Sequence, residues 1–417
     1  MKGEALVNKG SEILLGLGSS LDYEVIWDPR AVSALAGTLG ISSWPTAPVR
    51  IRDEKDLLSS ILAYSASGMG TERAVDSVEI IESVAHKLGF SESLGGTGVR
   101  AGRVVNLFGI GCTVHLSSVS PQVERLLWPG AQYVAAGRNT VLYPHLIVQF
   151  TTDGALAVGS DTRTPPRANR LIFVNDPDSA KLILAPGLSE VSARSSIMLI
   201  SGLNAITDET RLAERLEQLG HVVHKMGPGS WAVYEDSGFH RQELAAETLR
   251  VMASVCDVVS MNEDEFAGHL SCSVDLDDPE SVGRRLLDVI TERDIRTLVV
   301  HTARWAAAVG AQSTQLKAAL VEGVLASSAR YLMGDGMTAA HTEQLRSAPM
   351  DFHGSIVAAG LERAGVTAVA ARSLRPIRPV TVGLGDSFVG GFLAGLHRDG
   401  VQTDRPRPGR YGPANLV

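Results

Sequence analysis

Cysteine is scarce in this chain of 417 residues, which has only three, Cys112, Cys256 and Cys272. Their number is odd, and their spacing fits neither a zinc site nor a disulfide framework. We therefore interpret all three as small core residues.

Long apolar runs are also missing. No segment reaches the roughly 18 uninterrupted apolar residues that a membrane-spanning helix requires. The first twelve residues, MKGEALVNKGSE, lack the apolar core of a signal peptide. The sequence therefore predicts a soluble, cytoplasmic protein without a membrane partner.

Positive charge is not in excess either, because the chain has 38 Lys and Arg residues and 46 Asp and Glu residues, which give a formal net charge of -8. A nucleic-acid-binding protein usually carries a basic surplus, so no nucleic-acid partner is expected. Any phosphate site must be locally basic.

With 44% apolar and 20% charged residues, the chain is long enough for two domains. Its oligomeric state stays open between monomer and dimer.

The common nucleotide-binding fingerprints are absent as well. No glycine-rich turn ends in Gly-Lys-Ser or Gly-Lys-Thr, so the chain has no P-loop. The dinucleotide spacing fails after the first apolar run, because Leu21 stands where the third glycine belongs. A protein of this sequence must therefore bind nucleotide phosphates, if it binds them, by another arrangement.

The dominant pattern is an alternation of short apolar runs with amphipathic helical segments, which is typical of a parallel sheet covered by helices. The pattern predicts strands at residues 12–17, 196–201, 257–260 and 297–301, and helices at 207–219 and 242–255. Between about 30 and 98, and again between 142 and 175, short β-like pieces such as 48–51 and 146–150 alternate with turn residues. These segments predict an inserted subdomain. The proline- and arginine-rich end, residues 401–417, is predicted to be loose.

The most informative motif is TVGLGDSFVGG at residues 381–391. Gly383 and Gly385 allow a tight turn, and a helix that starts near Asp386 would direct unpaired N–H groups and its positive dipole end at an anion. The Asp386 carboxylate could remove a proton from a hydroxyl that attacks a phosphate. The motif therefore indicates phosphoryl transfer. The alternative is a Gly-Asp pair that only caps a core helix.

A second motif, MNEDE at 261–265, follows a predicted strand and opens a helix. Magnesium bound to phosphates keeps most of its water shell, and proteins hold those waters with carboxylate and amide oxygens. Asn262 and Glu265 suit that role. The alternative is a capping box, in which the same two residues only start the helix.

A third group suits sugar binding, because short carboxylates accept hydrogen bonds from vicinal hydroxyls and glycine lets the backbone come close. Asp22 follows the first strand, Glu72 lies in GMGTER, and Gly95 and Gly96 lie in LGGTG. The alternatives are surface carboxylates and a glycine hinge.

The segment TPPRANRLIF at 164–173 places Arg167 and Arg170 before an apolar run. Arginine guanidinium groups bind phosphate oxygens in a bidentate manner. Solvated surface charges are the alternative here.

Taken together and in this order, the motifs resemble the ADP-dependent sugar kinases (glucokinase and phosphofructokinase), the AMP-forming branch of the ribokinase-like superfamily. The resemblance runs from LGLGSSLD at 15–22 to GDSFVGG at 385–391. It implies an α/β ribokinase-like fold with a large Rossmann-like central sheet covered by helices and a smaller β-rich lid domain. The large domain would comprise residues 1–22, 100–140 and 178–417, and the lid 23–99 and 141–177.

The resemblance also implies roles for the candidate residues. Asp386 would be the catalytic base, and the backbone of Gly383, Leu384 and Gly385 would form the anion hole. Asn262 and Glu265 would belong to an Asn-x-x-Glu motif that holds Mg²⁺ largely through water.

On the substrate side, Asp22, Glu72, Gly96 and Asn169 match sugar-binding positions, and Arg170 matches an arginine that reaches the nucleotide phosphates. Gly95 precedes Gly96 and is expected to contribute backbone. Glu235 falls where the family has a glutamate in a His-x-Glu-Leu-Ala-like segment, and no role is assigned to it.

The implied reaction transfers the terminal phosphoryl group of ADP to the 6-hydroxyl of glucose. Glu72 favours a neutral hexose, because a phosphorylated sugar would bring a dianion towards this carboxylate. Arg73 and Arg167 are the cations that fructose 6-phosphate would need instead. A 6-phosphofructokinase, a bifunctional enzyme, an ATP-dependent sugar or nucleoside kinase and a non-catalytic sensor stay open as alternatives.

Overall fold

The computed structural model describes residues 13–139, 143–239, 241–270, 273–376 and 379–405. Cys272, the N-terminal segment and the tail beyond residue 405, on which the sequence led to predictions, lie outside the described residues. Cys112 and Cys256 are buried, as expected for small core residues. No described helix combines the length and apolar character needed to cross a bilayer.

The strands are, in chain order, β1 Ile13–Leu15, β2 Ser20–Val25, β3 Thr71–Ala74, β4 Phe90–Gly95, β5 Cys112–Leu116, β6 Gln132–Ala135, β7 His145–Phe150, β8 Leu156–Val158, β9 Asp161–Arg163, β10 Asn169–Val174, β11 Ile197–Ile200, β12 Trp231–Glu235, β13 Val258–Asn262, β14 Thr297–His301, β15 Trp305–Gly310 and β16 Thr367–Ala370.

The α-helices are α1 Pro29–Thr38, α2 Glu54–Ser67, α3 Val78–Leu88, α4 Thr97–Leu107, α5 Pro121–Leu126, α6 Pro177–Lys181, α7 Leu188–Ser192, α8 Glu209–His224, α9 Gln242–Val255, α10 Glu263–Gly268, α11 Pro279–Glu292, α12 Lys317–Met333, α13 Ala339–Leu345, α14 Phe352–Arg363 and α15 Leu384–Arg398.

Nine strands form the large sheet, in the spatial order β16-β15-β14-β13-β12-β11-β1-β5-β6. The seven strands from β14 to β6 run parallel, and β15 and β16 continue the sheet antiparallel. Helices α8, α9, α11 and α14 pack on one face, and α4, α12 and α15 on the other. Because both faces are covered, these strands are apolar runs without alternation. The predicted α/β fold is confirmed, and the predicted strands and helices overlap β1, β11, β13, β14, α8 and α9.

Five strands form the small sheet, in the order β3-β10-β7-β2-β4. One face is apolar and packs on helices α1 to α3. Successive side chains alternate between faces, so the other face carries polar residues, namely Ser20, Asp22, Glu24, Glu72, His145, Gln149 and Arg170. This polar face holds most of the predicted sugar-binding side chains.

One strand prediction in this region is wrong. Residues 48–51 do not form a strand, because only Ile51 makes an isolated bridge, to Val75. Strand β2 begins at Ser20 and crosses the predicted domain border after residue 22, while the domain limits themselves stay a prediction.

The start of the predicted loose end is held in place. The Trp231 indole N–H donates to the Val401 carbonyl at 2.7 Å, and the Thr403 hydroxyl donates to Asp257 at 3.2 Å. Residues 401–405 therefore lie against the amino ends of β12 and β13, on the side of the large sheet away from the carboxyl ends of its strands.

Candidate active site

Residues 381–386 form a glycine turn that starts helix α15. Gly383 has φ +75°, a left-handed conformation that glycine adopts without strain, and no side chain caps the helix. The Ser387 N–H bonds back to the Gly383 carbonyl at 3.0 Å. The N–H groups of Leu384 and Gly385 precede that first helical bond, so they are placed to bind an anion. The predicted anion-hole residues thus lie at an uncapped helix start.

Asp386 lies in the first turn of α15, with its side chain 24% exposed. Its nearest cation is Arg100, on helix α4, whose Nε lies 3.8 Å from the Asp386 carboxylate. A Cβ atom added to Gly383 would lie 2.9 Å from an Arg100 guanidinium nitrogen. A glycine is therefore needed at this position for space as well as for conformation.

Arg100 connects the glycine turn to the small sheet. Its side chain is only 10% exposed, and it donates to Asp22 at 2.7 Å and lies 3.5 Å from Glu24. Burial disfavours the charged guanidinium, but the carboxylates of Asp22, Asp386 and Glu24 outweigh this effect and raise the pKa of Arg100. The predicted sugar carboxylate and the predicted base therefore share one buried cation.

The Asp22 carboxylate has further neighbours on the small sheet. The Ser20 hydroxyl donates to it at 2.7 Å, and a Cβ atom on Gly95 would clash with it. His145, opposite Asp22 in strand β7, lies 3.8 Å away and also pairs with Asp176 at 3.3 Å. Burial works against the protonated imidazole, but Asp176 and Asp22 outweigh it and raise the pKa of His145.

The predicted glycine pair lies where β4 passes into α4. Gly95 ends the strand, and Gly96, with φ +91°, is the N-cap residue of α4. A Cβ atom on Gly96 would lie 3.0 Å from the Gly18 carbonyl oxygen. The pair thus lets the backbone pass close to the loop after β1 and to Asp22.

The remaining predicted substrate residues lie on strands β3 and β10. Glu72 is exposed on the polar face, where β3 pairs with β10 in parallel and Ile172 is the partner of Glu72. Asn169 has both ends of its amide engaged, because it donates to the Gly68 carbonyl at 3.1 Å and accepts from the Arg170 N–H. It shapes the turn that leads into β3, and its direct contact with a sugar stays a prediction.

Arg170 lies directly opposite Gln149 of β7 and is exposed. Side chains opposite each other in an antiparallel pair project from the same face. Arg170 therefore projects on the polar face of the small sheet, beside a residue that touches the glycine turn.

A second group of polar side chains lies at the carboxyl ends of β12, β13 and β14. The predicted pair forms a complete capping box, in which Asn262 accepts from the N–H groups of Asp264 and Glu265, and Glu265 accepts from the Asn262 N–H at 2.9 Å. Burial raises the pKa of Glu265 well above its ordinary value, and the carboxylates of Glu235 and Asp236 raise it further. The capping interpretation is thus present in the structure, together with a concentration of negative charge.

Two histidines contact the acidic side chains of this group. His301 pairs with Glu235 at 3.0 Å, and His269 pairs with Asp236 at 2.6 Å. The second oxygen of Glu235, Oε2, is buried and has no hydrogen-bond partner among the residues that the structure describes. Within the same described residues, no group of three or more His, Cys, Asp or Glu side chains is arranged to hold a metal ion directly.

His301 links the acidic group to the glycine turn. Its ring stacks on Phe388 of α15 with centroids 4.4 Å apart, and its Cε1 atom would lie 3.5 Å from a Cβ on Gly385. The sequence analysis missed Arg100 and His301, because a lone arginine in a helix and a histidine that ends an apolar strand carry no local motif. Only the fold brings them to the turn.

Comparisons with known proteins agree with this architecture. The model of the conserved region of ADP-specific phosphofructokinase and glucokinase matches residues 11–352, which end before the glycine turn. A relative, the ADP-dependent glucose/glucosamine kinase of Pyrococcus abyssi (strain GE5 / Orsay), is 24% identical over an alignment of 322 residues, with 69% of this chain and 69% of the relative covered.

Among solved structures, a phosphofructokinase from Pyrococcus horikoshii OT3 with AMP has a TM-score of 0.71 at 16% identity, covering 93% of this chain and 98% of that one. An ADP-dependent kinase in complex with fructose-6-phosphate and ADPβS has a TM-score of 0.73 at 14% identity, with 95% of each chain covered. An adenosine kinase from Sinorhizobium meliloti has a TM-score of 0.51 at 14% identity, covering 94% and 88%. These likenesses show a shared fold.

The family model covers most of the chain, from the first described strand to the start of helix α14. The chain therefore belongs to the ADP-specific phosphofructokinase/glucokinase family and is an ADP-dependent sugar kinase, a phosphotransferase that acts on a sugar hydroxyl.

Proposed function

We propose that this sugar kinase transfers the terminal phosphoryl group of ADP to the 6-hydroxyl of glucose and forms AMP and glucose 6-phosphate. The observation that carries the proposal is the shared contact of Arg100 with Asp22 and Asp386. One guanidinium thus contacts both a carboxylate suited to bind sugar hydroxyls and a carboxylate suited to accept a proton, the second of them in the first turn of a helix without a side-chain cap.

The chemistry follows from that placement. A glucose bound at Asp22 and the Gly95–Gly96 backbone has its 6-hydroxyl near Asp386, which takes the hydroxyl proton as the oxygen attacks phosphorus. The N–H groups of Gly383, Leu384 and Gly385 and the dipole of α15 stabilise the charge on the transferred group. The bond between the β-phosphorus and the bridging oxygen breaks, and AMP leaves with that oxygen and the electron pair of the bond, while the hydroxyl proton stays on Asp386 until it passes to solvent. Positioning supplies much of the rate.

The donor is ADP, as the family implies, and we assign Arg170 to its phosphates. Arg170 projects on the polar face beside Gln149, which contacts the backbone of Thr381 and Val382. A guanidinium there would neutralise the phosphate charge opposite the anion hole.

The acidic residues at the ends of β12 and β13 fit a magnesium ion held through water. Among the described residues, the buried Oε2 of Glu235 has no hydrogen-bond partner, and burial together with the carboxylates of Glu235 and Asp236 raises the pKa of Glu265, so a cation at this place would be stabilised. Glu265, Asn262 and Glu235 would hold the hydrated Mg²⁺, which supplies charge neutralisation for the diphosphate when bound. The capping box fixes Glu265 in place for this purpose.

Charge on the polar face supports a neutral acceptor. The carboxylates on or beside this face, of Asp22, Glu24, Glu72 and Asp386, outnumber the cations there, Arg100, His145 and Arg170, and Arg170 is assigned to the nucleotide phosphates. A phosphorylated sugar would meet this negative surplus. The relative from Pyrococcus abyssi is named for glucose and glucosamine, a neutral and a cationic sugar, which supports the same choice.

Fructose 6-phosphate is the second candidate, and it needs a cation for its phosphate group. Arg73 does not serve, because its guanidinium is turned to the other face, where it donates to the Tyr64 hydroxyl and the Pro48 carbonyl. Arg167 remains, since it is exposed and, within the part of the chain that the structure describes, only its Nε donates, to the Gly68 carbonyl at 3.0 Å.

The test compares kcat/KM for glucose and fructose 6-phosphate in the wild type and in Glu72→Ala, with ADP as donor. We expect the wild type to prefer glucose, and the variant to lose about 10- to 100-fold in kcat/KM for glucose while fructose 6-phosphate use holds or improves, as for a lost charged hydrogen bond of about 1.5–3 kcal/mol. Glu79→Ala, an exposed glutamate on α3, is the control and should change neither value. A wild type that strongly prefers fructose 6-phosphate would overturn the assignment of glucose.

A further inference from the structure

The small sheet holds the backbone just before the anion hole through one side chain. The Gln149 Oε1 atom accepts from the Thr381 N–H at 3.0 Å and from the Val382 N–H at 3.2 Å. These two residues immediately precede Gly383. A side chain of strand β7 therefore replaces the local partners that the turn lacks.

The other end of the same amide is also bound. The Gln149 Nε2 group donates to Glu24 on the neighbouring strand β2 at 3.2 Å. Glu24 in turn lies 3.5 Å from Arg100 and accepts from the Ser93 hydroxyl at 2.5 Å. Its side chain is only 16% exposed, so these contacts are partly shielded from water.

These contacts form a closed circuit of residues. Starting from Asp386, they pass to Arg100, to Glu24, to Gln149 and to the backbone at 381–382, which leads through Gly383 back to Asp386. We call this closed set the polar ring. Its last step runs along the backbone of the anion hole, and two of its members, Glu24 and Gln149, belong to the small sheet.

We propose that the polar ring sets the position of the anion hole and of Asp386, so that Glu24 and Gln149 are positioning residues for phosphoryl transfer. Neither side chain has to touch the reacting atoms. Gln149 fixes the entry of the turn, and Glu24 fixes Arg100, which lies against both Gly383 and Asp386. The proposal rests on the phosphoryl transfer proposed above, and it adds that the small sheet controls the geometry of that step.

The hydrogen bond between Gln149 and Glu24 has a fixed direction, which allows a sharp test of the polar ring. The amide of Gln149 donates, and the carboxylate of Glu24 accepts. Gln149→Glu would place two carboxylates in contact and break the ring between the strands. The exchanged pair Glu24→Gln with Gln149→Glu would restore one amide and one carboxylate with the wild-type net charge. In that pair the carboxylate at 149 accepts from the 381–382 N–H groups, and the amide oxygen at 24 accepts from Arg100.

The measurement is kcat and KM for whichever donor and acceptor the wild type turns over, so that a wrong choice of sugar or nucleotide does not affect it. We expect Gln149→Glu to lower kcat by about 10- to 100-fold, as for a small displacement of groups that support the site, with little change in either KM. The exchanged pair should recover most of the lost kcat. Gln344→Glu, which adds the same charge at an exposed position of α13, is the matched control and should retain wild-type kcat.

A purely structural role would give a different result. It would lower the melting temperature of Gln149→Glu without changing kcat per folded molecule. Failure of the exchanged pair to recover kcat, with both proteins folded, would also overturn the proposal.

A second measurement does not depend on activity. In Gln149→Met the N–H groups of Thr381 and Val382 lose their acceptor, so hydrogen exchange of the peptide that contains them should become faster than in the wild type. Unchanged exchange in this peptide would show that Gln149 does not hold the turn, and the ring would be rejected.

Discussion

Two of the helices that begin at the candidate active site, α10 and α15, begin in opposite ways. Helix α10 closes its own start, because Asn262 and Glu265 exchange hydrogen bonds with each other's backbone. Helix α15 starts at Gly383 with no side-chain cap. In sequence the two starts look alike, since each places an acidic side chain in the first turn after a residue suited to a cap.

The difference separates two functions. At a capped helix start, side chains of the helix itself already accept hydrogen bonds from the first N–H groups, so few donors are left to bind an anion. Helix α10 contributes negative charge instead. An uncapped start keeps its donors for a ligand, and the structure supports the turn of α15 from outside, through Gln149 and Arg330. The latter donates to the Val382 carbonyl at 3.1 Å. We infer that α15 serves the phosphoryl group and α10 serves the cation.

The largest effect is expected at the open start. Asp386→Asn keeps the size of the side chain and removes the base, so kcat should fall by about 10²- to 10⁴-fold while the KM values for sugar and nucleotide change little. Steady-state kinetics with both substrates measure this. Asp399→Asn, at the other end of α15 and exposed, should behave as the wild type. Near-normal turnover of Asp386→Asn would return the turn to a structural role.

A smaller effect is expected at the closed start. Glutamine at the third helical position also completes a capping box, so Glu265→Gln should keep the helix and remove only the charge. The Mg²⁺ concentration for half-maximal activity should rise by about 10- to 100-fold, as for other residues that support a metal site, and more than the sugar KM rises. Glu280→Gln, an exposed glutamate in the first turn of α11, is the control. An unchanged magnesium titration would leave Glu265 with the capping role alone.

The two sheets show how far the sequence could predict the fold. Strands of the large sheet are buried on both faces and appear as plain apolar runs, such as β11 and β14, which the sequence located within a residue of their ends. Strands of the small sheet are half polar and lie far apart along the chain, since helices α1 to α3 separate β2, β3 and β4, and the segment from α4 to β6 separates β4 from β7. Their order in the sheet, with β2 between β7 and β4, depends on long-range pairing that no local pattern records.

The candidate site divides in the same way. Glycine and carboxylate positions that lie in compact motifs, such as Gly383 and Asp386, could be found by sequence because the turn chemistry is local. Arg100, Glu24 and Gln149 could not, since each is an ordinary polar residue until the fold closes the polar ring. Arg73 shows the converse, because its position next to Glu72 in sequence places it on the opposite face of β3.

The most direct test of phosphoryl transfer from ADP to glucose is the fate of the nucleotide. The wild type is incubated with Mg²⁺ and glucose, with either ADP or ATP, and the spent nucleotides and sugar phosphates are separated by chromatography. We expect AMP from ADP, in an amount equal to the glucose 6-phosphate formed, and slower turnover with ATP. Formation of ADP from ATP, with no AMP from ADP, would contradict it.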